Sequence, residues 1–305
     1  MTIRLTVDRD RWWNHATGVA ASVEGLVPLV KGNGYGFGRA NLAIAASRLS
    51  PLIAVGTVHE LDGLPGDVTV VVLTPTLQAP ATTDPVLTVG SSRHIAALSG
   101  WSGRVIVKLE STMRRYGGTI DLVAEAQRAG LRTVGVAIHL PLVGSEQERM
   151  GYVADQLPHI DPTLDVWLSH LSPGALELLP ATHRYKLRSG TYLWHGDRES
   201  MKLEANVIDT RPAEAGSTAG YRLRRVAVDG TILMVGAGSA AGIAPNADGE
   251  SPFHFAQQRL RLIEPPHMHT SMVLVPFGDP CPIVGDWVDV QRPLTMTAVD
   301  EIRWI

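Results

Sequence analysis

A single lysine stands ahead of a glycine-rich run in LVKGNGYGFGRA, residues 29 to 40. A nucleotide P-loop needs its lysine after the glycines and followed by Ser or Thr, and Lys31 comes before them. The dinucleotide fingerprint needs a different glycine spacing and an acidic residue after the next strand. Lys31 instead ends the apolar run VPLV. Low dielectric there depresses a lysine's pKa, and the neutral amine can attack an aldehyde. The other reading is a solvated lysine at a strand end. VIVKLESTMRRYGG (105 to 118) sets Lys108 and Glu110 on one strand face, with Arg114 and Arg115 in the loop beyond. Arg115 could hold a carboxylate or phenolic oxygen through two N–H groups, or be a solvated loop arginine. His139 ends VGVAIH, where it could lie against a flat ring or serve as a core histidine. In YKLRSG, Arg188 comes just before Gly190, whose missing side chain lets a ligand approach the backbone. A structural ion pair is the alternative for Arg188.

These residues sit at the ends of short apolar runs. VPLVK, LIAVGT, VTVVVLT, VLTVG, VIVKLE, TVGVAIHL and DVWLSHLS follow one another between residues 27 and 172, most of them separated by amphipathic stretches. Continuous apolar runs alternating with helical patterns predict a parallel sheet covered by helices. Six or more such units predict a closed β/α barrel, with a doubly wound open sheet as the alternative. Strand ends facing helix starts then form the catalytic face. After about residue 200 the pattern becomes strands and turns, which predicts a smaller all-β domain. The expected organisation is residues 1–10 as a strand joining the late β domain, 11–200 as the barrel and 201–305 as the β domain. LWHGDRES is the expected linker.

Composition narrows the class. The chain has 305 residues, 45% hydrophobic and 19% charged, with a net charge of −3. That balance is globular and offers no basic field for nucleic acid or an acidic membrane surface. Cys281 is the only cysteine, which suits a reducing compartment and excludes a Cys-rich metal site. The first fifteen residues carry charges where a signal peptide needs an apolar run. No run approaches the roughly 18 apolar residues of a membrane span. A soluble cytoplasmic protein without a bound metal is the expectation.

Six segments, in order, resemble the alanine racemase family. PLVKGNGYGFG is similar to its cofactor-lysine motif, and IVKLESTMRRYG to its Lys-x-acid…Arg strand. GVAIHL resembles its Thr-His-Phe strand, and KLRSGTYLWHG its Arg-x-Gly strand. AGSTAGYR resembles the segment that brings a catalytic tyrosine, and VGDWVDV the late Gly-Asp-x-Val strand. The resemblance implies a pyridoxal 5′-phosphate (PLP) barrel with a C-terminal β domain, acting on a small amino acid as a head-to-tail homodimer. Lys31 would carry the cofactor and act as acid or base on one face of the α-carbon. Tyr221, from the partner, would act on the other. Two such groups on opposite faces are what racemisation requires. Tyr35 and the backbone at Gly190 and Thr191 would hold the phosphate, with Ser172 offered where the family carries Asn-Ser. Arg188 would face the pyridine nitrogen, His139 would lie against the ring, and Arg115 would contact the phenolic oxygen. Lys108 would support Arg115.

Departures from the family concentrate late in the chain. Phe37 replaces a histidine. Gly238-Ser239-Ala240-Ala241-Gly242 stands for Gly-Tyr-Ala-Asp-Gly, and Met268-His269 for Met-Asp. Arg222 follows Tyr221 where glycine is usual, and the sequence ends at Ile305, before a final tyrosine-bearing segment of the family. The expectation is an amino-acid racemase of altered or broadened specificity. The alternatives are a catalytically weak PLP-binding scaffold and a fold-related decarboxylase, the last opposed by Arg188.

Overall fold

The computed structural model describes residues 2–305. The chain divides into two compact units. One contains Trp13–Gly34 and Gly38–Gly196; the other contains the residues up to Trp12, Tyr35–Phe37 and Asp197–Ile305.

The chain begins with strand β1 (Ile3–Val7) and helix α1 (Arg9–Ala21). Eight parallel strands follow: β2 (Leu26–Pro28), β3 (Leu52–Val55), β4 (Thr69–Val72), β5 (Val86–Val89), β6 (Arg104–Lys108), β7 (Arg132–Ala137), β8 (Asp165–Ser169) and β9 (Tyr185–Ser189). They are ordered β2-β9-β8-β7-β6-β5-β4-β3. A parallel bridge from Leu29 to Ala54 joins the two ends into a barrel. Val27, Ala54, Val71, Val86, Ile106, Ala137 and Trp167, one from each of seven strands, form its buried interior. Burial on both faces explains why these strands read as continuous apolar runs. Gly135 makes room for the largest of these side chains. A Cβ there would sit 2.5 Å from the indole nitrogen of Trp167 and 2.5 Å from the Asp165 carbonyl.

Helices cover most but not all crossovers: α2 (Arg39–Ser47), α3 (Ser92–Ala97), α4 (Leu122–Arg128), α5 (Glu146–Gln156), α6 (Pro173–Glu177) and α7 (Thr191–His195). Between β3 and β5 no α-helix forms, only a short 3₁₀ turn at Val58–Glu60. Pro65, Pro75, Pro80 and Pro85 lie in those two connections and break helical hydrogen bonding. No helix among the described residues is long and apolar enough to cross a membrane.

Trp194, in α7, is fully buried and its indole N–H donates to the Leu29 carbonyl at 2.8 Å. It therefore braces the segment that leads to Lys31. We expect Trp194→Ala to lower stability by about 3–5 kcal/mol, as other emptied aromatic sites do. Denaturant unfolding measures this, and a loss below about 1 kcal/mol would remove Trp194 as an anchor.

In the second unit, β1 pairs antiparallel with the long strand β10 (Met201–Ala213) and parallel with Glu301–Trp304. Two carboxylates fasten this arrangement. Asp300 accepts from the Thr2 and Ile3 amides at 2.9 and 3.0 Å. Glu204 accepts from Arg4 at 3.0 Å and pairs with Lys202. Phe37 packs 4.9 Å from the Trp12 ring and 6.2 Å from the Trp304 ring, an apolar role that histidine would fill poorly. Burial acts to raise both carboxylates, but these hydrogen bonds and cations prevail and hold them below their ordinary values. A depressed carboxylate stabilises the fold fully above its unfolded pKa, and that contribution disappears as pH falls through the folded value. Thermal stability should therefore decline on acidification below about pH 4. Asp300→Asn should flatten the decline, and an unchanged acid limb would count against Asp300 as a clamp.

Candidate active site

A parallel barrel brings the carboxyl ends of all its strands to one face. The barrel candidates lie there. Lys31 follows β2, Lys108 ends β6, His139 follows β7, Arg188 is in β9, and Arg115 is in the loop after β6. The structure adds two residues absent from the sequence-based set. His170 immediately follows β8, and Glu60 closes the 3₁₀ turn after β3. The ring centroids of His139 and His170 lie 4.8 Å apart. His170 occupies the same kind of strand-end position as His139, and that parallel was its sequence signal.

Lys31 is set by the seam that closes the barrel. The Val30 amide donates to the Ala54 carbonyl at 2.8 Å. The Glu60 carboxylate spans the seam, accepting from the Gly32 amide at 3.1 Å and the Gly56 amide at 2.6 Å. Lys31 keeps solvent access. The crowded strand ends nonetheless lower its pKa, through partial burial first and then the charges of Arg115 and Arg188, with Glu60 opposing. The shift raises the fraction of neutral amine at neutral pH.

Its neighbours are strongly cationic. Arg188 donates to the Leu168 and Ile138 carbonyls at 3.2 and 3.1 Å, which fixes its plane across two strand ends. Burial lowers it to about 10, so it remains charged at neutral pH. Lys108 is buried and donates to the Tyr116 carbonyl at 2.5 Å. Burial, then Arg188 and Arg115, bring it down to about 8. His139 shares a hydrogen bond with the Ser169 hydroxyl at 2.5 Å. Burial, then Arg188, with smaller contributions from His170, Lys108 and Arg115, pushes it down to about 3, so the imidazole is neutral. Among the described residues, no ion pair neutralises Lys31, Lys108, Arg115 or Arg188. Such a face suits a ligand that brings several negative charges.

Two expectations are corrected. Lys108 and Glu110 do not share a strand face: β6 stops at Lys108, and Glu110 is exposed beyond it, with its amide donating to the Gly118 carbonyl. Ser172 is not free to donate to a phosphate. Its amide and hydroxyl both donate to the Glu146 carboxylate, at 2.7 and 3.0 Å, while its oxygen caps α6. The capping box of Ser145 and Glu148 starts α5 and sets Glu146 in its first turn. Gly190 is buried and Thr191 exposed at the turn from β9 into α7. Tyr35 is buried, with φ of 55°.

The family described as "Alanine racemase, N-terminal domain" matches residues 7–197, more than half of the chain. The chain belongs to the alanine racemase family. The alanine racemase from Bartonella henselae, solved with covalently bound pyridoxal phosphate, is similar over 100% of both chains, with a TM-score of 0.75 and 19% identity. The enzyme from Acinetobacter baumannii is similar over 100% of this chain and 99% of its own, with a TM-score of 0.72 and 17% identity. That of the D-cycloserine producer Streptomyces lavendulae covers 100% and 97%, with a TM-score of 0.72 and 19% identity. At these identities the likeness is one of fold. No curated protein is significantly similar in sequence.

The late alanine racemase departures adjoin one another within the second unit. The amides of Ser239 and Ala240 donate to the carbonyls of His267 and Met268, at 2.8 and 2.9 Å. Tyr221 is 86% exposed, on the turn between the two-residue strands β11 (Thr218–Ala219) and β12 (Arg224–Arg225). Met268 and His269 are also exposed.

Proposed function

We propose that this protein is a PLP-dependent amino-acid racemase whose substrate is not restricted to alanine. The observation that carries the reading is the cluster of Lys108, Arg115 and Arg188, none of them in an ion pair among the described residues, around a solvent-accessible lysine. Its residues fit the group. Lys31 supplies the amine. Arg115, Arg188 and Lys108 supply positive charge for a phenolic oxygen and an incoming carboxylate. The Gly190–Thr191 turn would hold the phosphate. When bound, PLP withdraws electrons from the substrate's α-carbon and makes its α-proton removable. Arg188 offers donors only and no proton to release, which favours simple proton exchange over decarboxylation or transamination. Neutral His139 would lie against the ring without adding charge. Lys31 takes or returns the α-proton on one face. Tyr221 of a partner copy in a head-to-tail dimer serves the other, its exposure leaving the phenol available.

Ser239 and Ala241 stand where the family pattern has a tyrosine and an aspartate, which favours a wider mouth and larger amino acids. Met268 and His269 would meet the side chain of the substrate. The test is α-proton exchange in heavy water, with the PLP-supplied protein and a panel of L- and D-amino acids. Exchange with several amino acids beyond alanine is the expected result. Cofactor retention with no exchange for any member would overturn the racemase reading in favour of a PLP-binding scaffold.

A further inference from the structure

Tyr221 is held by residues from a distant segment. Its backbone amide donates to the Glu264 carboxylate at 2.8 Å, and the Arg222 amide donates to the other oxygen at 3.1 Å. The side chain of Glu264 is only 2% exposed. One of its oxygens also meets His267 Nε2 at 2.5 Å. The imidazole of His267 then lies 4.4 Å, centroid to centroid, from the Tyr221 ring, tilted by 43°.

Several local features build this arrangement. Gly220 has φ of 77°, and a Cβ there would sit 2.2 Å from a Glu264 oxygen. Only glycine lets the turn rest on the carboxylate. Pro265 and Pro266 separate Glu264 from His267, and their fixed φ angles preset the spacing of the two side chains. The loop is tied off by Ile263 donating to Met272 and His267 donating to Thr270. Burial acts to raise Glu264, but the bonds from His267 and from the two amides outweigh it and keep the carboxylate below its ordinary range. An ionised carboxylate only accepts, so the proton of the Glu264–His267 bond belongs to Nε2.

We infer that Glu264 and His267 are positioning residues for Tyr221: the buried carboxylate fixes the turn that carries it, and the imidazole fixes the direction of its ring. The inference rests on the reading of Tyr221 as the second acid/base group. Tyr221 has no cover of its own in the turn, so without the imidazole its ring samples several rotamers. Small misplacement of a reacting group costs up to about 100-fold in rate.

The experiment uses His267→Gln, which keeps a donor for Glu264 while removing the ring contact, and Glu264→Gln as a second variant. The protein is labelled with fluorotyrosine, and the Tyr221 resonance among the six tyrosines is assigned by its loss in Tyr221→Phe. In His267→Gln that resonance should move toward its position in the unfolded protein. The PLP-supplied, unlabelled variant should lose up to about 100-fold of its exchange on the Tyr221 face alone. Exchange on the Lys31 face and the cofactor absorbance should be unchanged. Glu264→Gln should reproduce both effects. An unmoved resonance overturns the inference while leaving the racemase reading intact. A moved resonance with unchanged exchange makes the contact structural only and also overturns it. If Tyr221→Phe itself leaves exchange unchanged on both faces, Tyr221 is not an acid/base group, and this inference falls with that assignment.

Discussion

Lys31→Ala is expected to abolish the visible absorbance of the PLP-supplied protein and the borohydride-fixed attachment of the cofactor to the chain. α-Proton exchange should fall with them, by about 10²–10⁴-fold for the lost acid/base role alone. Lys31→Arg separates charge from nucleophilicity. A guanidinium stays protonated and cannot attack an aldehyde, so this variant should bind no colour either. The stability effect should run the other way from the activity effect. Lys31 is held below its ordinary pKa, so its ammonium is disfavoured in the fold at neutral pH. The unfolded chain then binds more protons, and this group's contribution to stability rises as pH climbs from the folded toward the unfolded value. Removing it should leave the midpoint of thermal unfolding unchanged or higher. A coloured, exchange-active Lys31→Ala protein would sink the assignment. A strongly destabilised one would mean that Lys31 supports the fold in some other way.

Much of that assignment was legible in the sequence because strand ends are. Burial on both faces forces continuous apolar runs, and the parallel barrel brings the residue that ends each run to one face. Local pattern thus placed Lys31, Lys108, His139 and Arg188 at strand ends, and only the family resemblance gave them roles. Between β3 and β5, where proline interrupts the chain, the short polar segment read after LIAVGT forms no α-helix. Partnerships across long sequence distances left no such trace. Glu60 reaches back 28 residues to the Gly32 amide, and Ser172 reaches 26 residues to Glu146. Glu264 meets the Tyr221 amide from 43 residues away. A carboxylate that serves backbone amides looks, in sequence, like any surface acid. Ser172 was misread for the same reason, since only its partner reveals that its donors are occupied. The basic stretch around Tyr221 showed a departure from the family, but not the buried acid beneath it.

Tyr221→Phe should have the second large effect, with the opposite signature to Lys31→Ala. The ring contact with His267 and the backbone bonds to Glu264 do not involve the hydroxyl, so the turn should be unchanged. Cofactor colour and thermal stability should stay at wild-type values. Exchange starting from one enantiomer should fall by about 10²–10⁴-fold, the usual value of a positioned acid/base group. Exchange starting from the other should persist, because Lys31 still serves its face, but without inversion of configuration. Mixing the two inactive proteins then tests where Tyr221 acts. If it reaches across a dimer, a Tyr221→Phe barrel facing a Lys31→Ala partner has both groups. Random mixing should restore about a quarter of the wild-type sites in a two-fold dimer. If each Tyr221 instead serves its own barrel, every site in the mixture lacks one group, and no racemisation should return.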